Sequence, residues 1–131
     1  MWRNNYIDFK FEDKGRNEKS GDCWGLLLQI YKKELNIEVP DYTEFYKNTM
    51  DKKVLADLIR KEKETWISVN DPKPFDVIIV NMRGVPMHIG VVTKKGFMIH
   101  CAKGVDTCHE RYDGVRWRDK IVGFERHSSL C

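Results

Sequence analysis

His88-Ile89-Gly90-Val91-Val92-Thr93-Lys94-Lys95-Gly96-Phe97-Met98-Ile99-His100-Cys101 reads as two short runs rich in β-branched residues, joined by a tight turn at Lys94-Lys95-Gly96. Such runs favour extended chain, and a glycine closing a short polar connection supplies the backbone freedom that a hairpin turn needs. A turn centred on residues 94 to 96 also sets the register. It places position 88 close to opposite 101 or 102, with 100 one step away, so the two histidines are expected as neighbours at the far end of the ribbon.

Working outward, Asn70-Asp71-Pro72-Lys73-Pro74 is a turn signal, and Asp76 to Met82 behind it has the composition of a third strand. Val105 to Tyr112 and Lys120 to Arg126 are candidates for two more. The first half of the chain has a different period. Cys23 to Leu35 carries apolar residues at 26, 27, 30, 31 and 35, and Met50 to Lys63 carries them at 50, 54, 55, 58 and 59. Both are the stripes of amphipathic helices. Helices first and antiparallel strands after define an α+β class, with the N-terminal helices packed on a central antiparallel sheet. No repeat, low-complexity tract or linker divides the sequence, so residues 1–131 are expected to form one domain.

Composition narrows the function classes. Lys and Arg number 23 against 20 Asp and Glu, a formal charge of +3, and the basic residues are scattered rather than massed. That distribution argues against a nucleic-acid partner. No stretch reaches the roughly eighteen apolar residues of a membrane span, and the polar start MWRNNYIDFK is unlike a signal peptide. The expectation is a protein made in the cytoplasm with no membrane association. Cys23, Cys101, Cys108 and Cys131 form no CxxC pair, so free thiols are expected.

Cys23 stands where the first helix begins, in Ser20-Gly21-Asp22-Cys23-Trp24-Gly25. A thiol there feels the positive end of the backbone dipole, which favours the reactive thiolate. Asp22 is placed to cap the helix by accepting a backbone N–H, and Gly25 allows another element close to the first turn. A cysteine on a helix start, a histidine to take its proton and a third polar group to orient that histidine form the arrangement that activates a thiol for acyl transfer. Cys23, His88 and His100 fit those three places, and the backbone N–H of Cys23 is the first candidate for an oxyanion donor.

Gly21-Asp22-Cys23-Trp24-Gly25-Leu26, His88-Ile89-Gly90-Val91 and Met98-Ile99-His100-Cys101 resemble, in order and spacing, the three sequence blocks of the NlpC family (NlpC/p-sixty). The resemblance runs from Tyr6 to about His127. It implies a reduced papain-like fold and a cysteine peptidase that cuts the stem peptide of peptidoglycan between D-glutamate and the diamino acid. By the same resemblance Cys23 is the nucleophile, His88 the general base and His100 the third member. Asp22 and Trp24 fall at positions that shape the substrate site in relatives, and no cofactor or metal is implied. Two departures from the pattern stand out: Trp24 is where many members have serine, and Phe11 and Glu12 are where many have a tyrosine.

More narrowly, the combination of Tyr6-Ile7, Gly15-Arg16, Asp22-Cys23-Trp24-Gly25, Val39-Pro40-Asp41-Tyr42 and Ile121-Val122-Gly123-Phe124-Glu125-Arg126-His127 resembles the branch of tailed phages, prophages and gene transfer agents, which includes tail-tip assembly protein K. That likeness implies a virion tail component acting at the cell wall, with tail-tip proteins as partners and Trp2, Trp66 and Trp117 as candidate docking anchors. The alternatives are a tail assembly component with little activity, or an amidase or acyltransferase using the same thiol. A zinc site from His100, Cys101, Cys108 and His109 is a further competitor, opposed by the difficulty of turning adjacent His100 and Cys101 to one side of a strand.

Overall fold

The hairpin forms in the expected register. A computed structural model, which describes residues 2–46, 53–82, 85–104 and 106–131, pairs β5 (Val85–Lys94) antiparallel with β6 (Phe97–Ala102). Val91 lies opposite Ile99 and Val92 opposite Met98, and continuing that count brings 88 opposite 102. Gly96 turns the chain with φ +90°, a conformation that costs glycine little.

Around this ribbon the remaining strands are β1 (Lys10–Phe11), β2 (Ser20–Gly21), β3 (Trp66–Val69), β4 (Val77–Met82), β7 (Asp106–Arg111) and β8 (Ile121–His127). Four of them join the ribbon in one six-stranded antiparallel sheet of order β3-β8-β4-β5-β6-β7, while β1 and β2 pair in parallel beside it. The last two sequence-read strands are both present, although Val105 lies outside the described residues. β3 was not foreseen, since four residues between a helix and a turn are too few to display a period.

The first helix, α1 (Cys23–Ile30), starts where expected and stops five residues early. Tyr31–Leu35 continues as a wider π turn that closes on Asn36, whose left-handed backbone (φ 54°) lets its N–H reach the Tyr31 carbonyl. The widened turn keeps Tyr31 fully buried, its hydroxyl donating to the Phe75 carbonyl, while Lys32 and Lys33 reach solvent. The second helix, α2, covers Lys53–Lys61 within the expected span, whose start at Met50 lies outside the described residues.

Strand alternation builds two apolar layers. Val77, Ile79, Ile89, Val91, Ile99 and Cys101 face α1 and α2 and join Cys23, Leu26, Leu27, Ile30, Leu55 and Ile59 in the larger core. Ile78, Val80, Val92 and Met98 face the other way and are covered by Tyr112 and Trp117. The turn at 70–74 is locked by a buried ion pair: Arg126 Nε and Nη2 each donate to Asp76 at 2.8 Å, and Asp76 also accepts from Lys73 N. That fork ties the start of β4 to the end of β8.

Trp66 and Trp117 are buried in these layers, and Trp2 stacks on Phe75 at 4.8 Å between ring centroids. The suggested docking anchors are therefore occupied in packing. No described helix is long and apolar enough to cross a membrane.

Candidate active site

Cys23 is the first residue of α1, and Asp22 is its N-cap: Oδ1 accepts from Gly25 N at 2.8 Å. Gly25 has the expected close neighbour, because a Cβ there would overlap the Gly15 carbonyl oxygen. Arg16 fixes this approach. Its Nη1 donates to both Gly15 O and Asp22 Oδ1 at 2.8 Å, and its Nη2 reaches Asp41 O and the Tyr46 hydroxyl. Tyr46 in turn donates to Asp22 Oδ2. Burial, reinforced by the Asp22 carboxylate, pushes the Tyr46 phenol well above its ordinary range, so it stays a donor.

Asp22 and Trp24 are both wholly buried. Both positions, which by the resemblance shape the substrate site in relatives, are therefore held inside the packing beneath the start of α1. Asp22 caps the helix and holds Arg16, whereas Trp24 packs against Tyr42 and Trp66 and donates its indole N–H to Pro40 O at 2.8 Å. The large indole is in the core because its position on the first turn points under the 40–46 segment. Phe11, near the place where many NlpC-type sequences have tyrosine, sits in β1 opposite Gly21.

α1 packs across β5 and β6. Ile89 and Cys101, the immediate neighbours of the two histidines, lie in the same core cluster as Cys23, and Cys101 Sγ approaches Gly21 O at 3.6 Å. His88 and His100 have the opposite strand parity and turn toward Trp117, which stacks on His88 and meets His100 edge-on. The two rings are bonded to each other, His88 Nε2 to His100 Nδ1 at 2.7 Å.

The sequence reading did not find the next link. His100 Nε2 lies 2.6 Å from Glu110 Oε2, and Arg116 reaches the other carboxylate oxygen at 3.3 Å. Glu110 is on β7, whose register sets Cys108 opposite His100 and leaves residue 110 on the same face. Only the strand pairing reveals it, because Glu110 lies ten positions and a turn beyond His100 in sequence.

Glu110 decides the tautomers. Burial opposes its charge, but hydrogen bonds from His100 and Cys108 and the nearby Trp117 indole hold its carboxyl below the usual range. The Trp117 N–H itself stops short of hydrogen-bonding geometry with any described residue. A carboxylate only accepts, so the His100 proton is on Nε2 and its Nδ1 is an acceptor. Burial, opposed by Glu110, disfavours the His100 imidazolium and holds its pKa below the usual histidine range. His88 then donates through Nε2, and in its neutral ring the lone pair is on Nδ1.

The other histidines and thiols are accounted for separately. His109 meets Thr93 Oγ1 at 2.7 Å and stacks on Phe97, while His127 accepts from Ser129 N. Cys101 is a core thiol, and Cys108 lies on β7, within the run read as a strand. None of the four cysteines is in a disulfide. Because Cys101 points to Gly21 and His109 to Thr93, the His100-Cys101-Cys108-His109 zinc set does not assemble.

A cysteine opening a helix over a sheet that carries a bonded histidine pair is the frame of a papain-like cysteine peptidase domain. The chain belongs to the NlpC/P60 family, whose model matches residues 9–126. Solved structures of similar fold include an NLP/P60-family protein described as similar to lipoprotein, from Staphylococcus aureus subsp. aureus Mu50. It has a TM-score of 0.61 and 18% identity over 93% of this chain and 37% of that one. The NlpC/p60 domain of the peptidoglycan hydrolase SagA gives a TM-score of 0.60 and 18% identity over 93% and 89% of the two chains. NlpC1 from Trichomonas vaginalis gives 0.64 and 15% over 95% and 41%. The chain thus spans less than half the length of the Staphylococcus and Trichomonas proteins. No curated protein sequence matches it significantly.

Proposed function

We propose that this domain is a cysteine peptidase of the peptidoglycan hydrolase kind, with Cys23 as nucleophile, His88 as general base and His100 as the residue that orients it. The observation that supports the reading is the bonded chain His88–His100–Glu110, carried on the strands β5 and β6 that α1 packs across. In this mechanism His88 Nδ1 takes the Cys23 proton and the thiolate attacks the carbonyl of the stem peptide. The same proton then goes to the leaving amine, and water clears the thioester. The Cys23 N–H, at the open start of α1, donates to the developing oxyanion.

The bond proposed is that between D-glutamate and the diamino acid. Defined muropeptides incubated with the protein and read by mass spectrometry test it: fragments ending in D-glutamate are expected. Intact muropeptides, or cleavage at the sugar–peptide amide, would count against the bond assignment.

Glu110 acts through His100 as a positioning residue. Glu110→Gln keeps an acceptor but removes the charge and admits an amide N–H that favours the wrong tautomer. A fall in kcat of up to about a hundredfold is expected, at the low end of what acid–base catalysis contributes, with KM little changed. A thermal midpoint that falls while kcat holds would show Glu110 to be structural only.

The setting proposed is the tail tip of a phage or prophage particle, with tail proteins as docking partners. Its support is the sequence block Ile121–His127 together with Gly15-Arg16 and Val39–Tyr42. Peptides of this chain are expected in purified tail particles of the encoding phage, and particles lacking them would remove the tail location.

A further inference from the structure

We propose that His100, Cys108 and Glu110 form a binding site for a zinc-type divalent cation, and that a cation there disables the His88 base by reversing the tautomers of both histidines. The site stands on the geometry of three side chains; its effect on His88 rests on the peptidase reading above.

β6 and β7 set His100 opposite Cys108, and Glu110 follows two residues on along the same face. Glu110 Oε2 lies 2.6 Å from His100 Nε2 and 3.4 Å from Cys108 Sγ. One donor atom from each residue falls within 4.8 Å of the other two. Imidazole, thiolate and carboxylate are the ligand types that zinc takes, and tetrahedral bonds of about 2.0–2.3 Å separate donor atoms by roughly 3–4 Å. Shifts of about 1 Å or less in rotatable side chains therefore close the set. Cys108 and Glu110 are only partly buried, so an ion can enter from solvent and keep water in the fourth position. Arg116 bonds the other oxygen of Glu110 and is largely exposed, so it can swing clear.

The tautomer reversal follows from lone pairs. Without metal, His100 carries its proton on Nε2 and accepts at Nδ1. A cation takes the Nε2 lone pair, so the neutral ring must hold its proton on Nδ1. Nδ1–H then donates to His88 Nε2, and His88 must hold its own proton on Nδ1. The nitrogen assigned as the base for Cys23 is thereby occupied. Both imidazoles keep one proton each, exchanged through water, and Cys108 releases its thiol proton, one per cation bound.

Cobalt(II) and zinc(II) salts added to the reduced full chain test this. Cobalt is expected to give a thiolate charge-transfer band saturating at one ion per chain and bleached by zinc. Cys108→Ser should abolish the band, Glu110→Gln should weaken binding at least about tenfold, and Cys23→Ala and Cys131→Ser should retain it. A missing band, or one that survives Cys108→Ser, overturns the site. Imidazole nitrogen NMR of the Cys23→Ala protein should show the His88 proton moving from Nε2 to Nδ1 when zinc is added, and unchanged tautomers overturn the reversal. On muropeptides, one equivalent of zinc should inhibit, and Cys108→Ser should need at least about ten times more zinc for the same fractional inhibition of its own metal-free rate. Zinc bound at Cys108 with hydrolysis unaffected overturns the switch. A cobalt band in a protein that hydrolyses no muropeptide supports the site and rejects the peptidase reading.

Discussion

Cys23→Ala is expected to abolish release of amine groups from purified peptidoglycan, with kcat falling by about a millionfold, the scale seen when a nucleophile is removed from a catalytic unit. The loss is that large because the remaining groups have nothing to act on. In the proposed mechanism His88 would have no thiol proton to take, and the oxyanion donor would polarise a carbonyl that no nucleophile approaches. The fold should survive. Cys23 opens α1 with its cap made by Asp22, and alanine preserves both the backbone geometry and the helix propensity at that place. A thermal midpoint close to that of the parent protein would show that the effect is chemical. Undiminished amine release would remove Cys23 from the mechanism.

Much of this site was legible because it depends on local rules. A glycine after two lysines fixes the hairpin, and the hairpin register alone brings His88 and His100 together. Asp22 before an apolar period marks the start of α1, and the structure gives it the expected cap bond. What stayed hidden depends on partners far along the chain. Glu110 is an ordinary acidic residue in sequence and becomes part of the histidine chain only through the β6–β7 pairing. Trp24 was placed near the substrate site only through its likeness to relatives, and its packing against the Pro40 carbonyl and the Tyr42 and Trp66 rings is set by residues far along the chain. The end of α1 was misjudged for a related reason. The apolar period continues through Tyr31 and Leu35, but the Tyr31 hydroxyl bond to Phe75 and the left-handed Asn36 favour a wider turn there.

Asp22→Ala is expected to be the most damaging single change to stability near the site, costing about 3–5 kcal/mol in the free energy of unfolding. Asp22 is fully buried and serves three donors at once: Gly25 N in the helix cap, Arg16 Nη1 in an ion pair, and the Tyr46 hydroxyl. Loss of an N-cap alone costs about 1 kcal/mol, so most of the effect comes from leaving the largely buried Arg16 without its counter-charge. Asp22→Asn separates the two contributions, because its amide oxygen can still cap Gly25 while the charge is gone. It should recover about 1 kcal/mol relative to alanine. Urea unfolding of both variants measures this, and a loss under about 1 kcal/mol for Asp22→Ala would show that Arg16 finds other partners. Activity should fall with stability even at temperatures where Asp22→Ala remains folded. The first turn that carries the Cys23 sulfur and N–H is held by the same carboxylate, so its removal loosens the oxyanion donor along with the helix start.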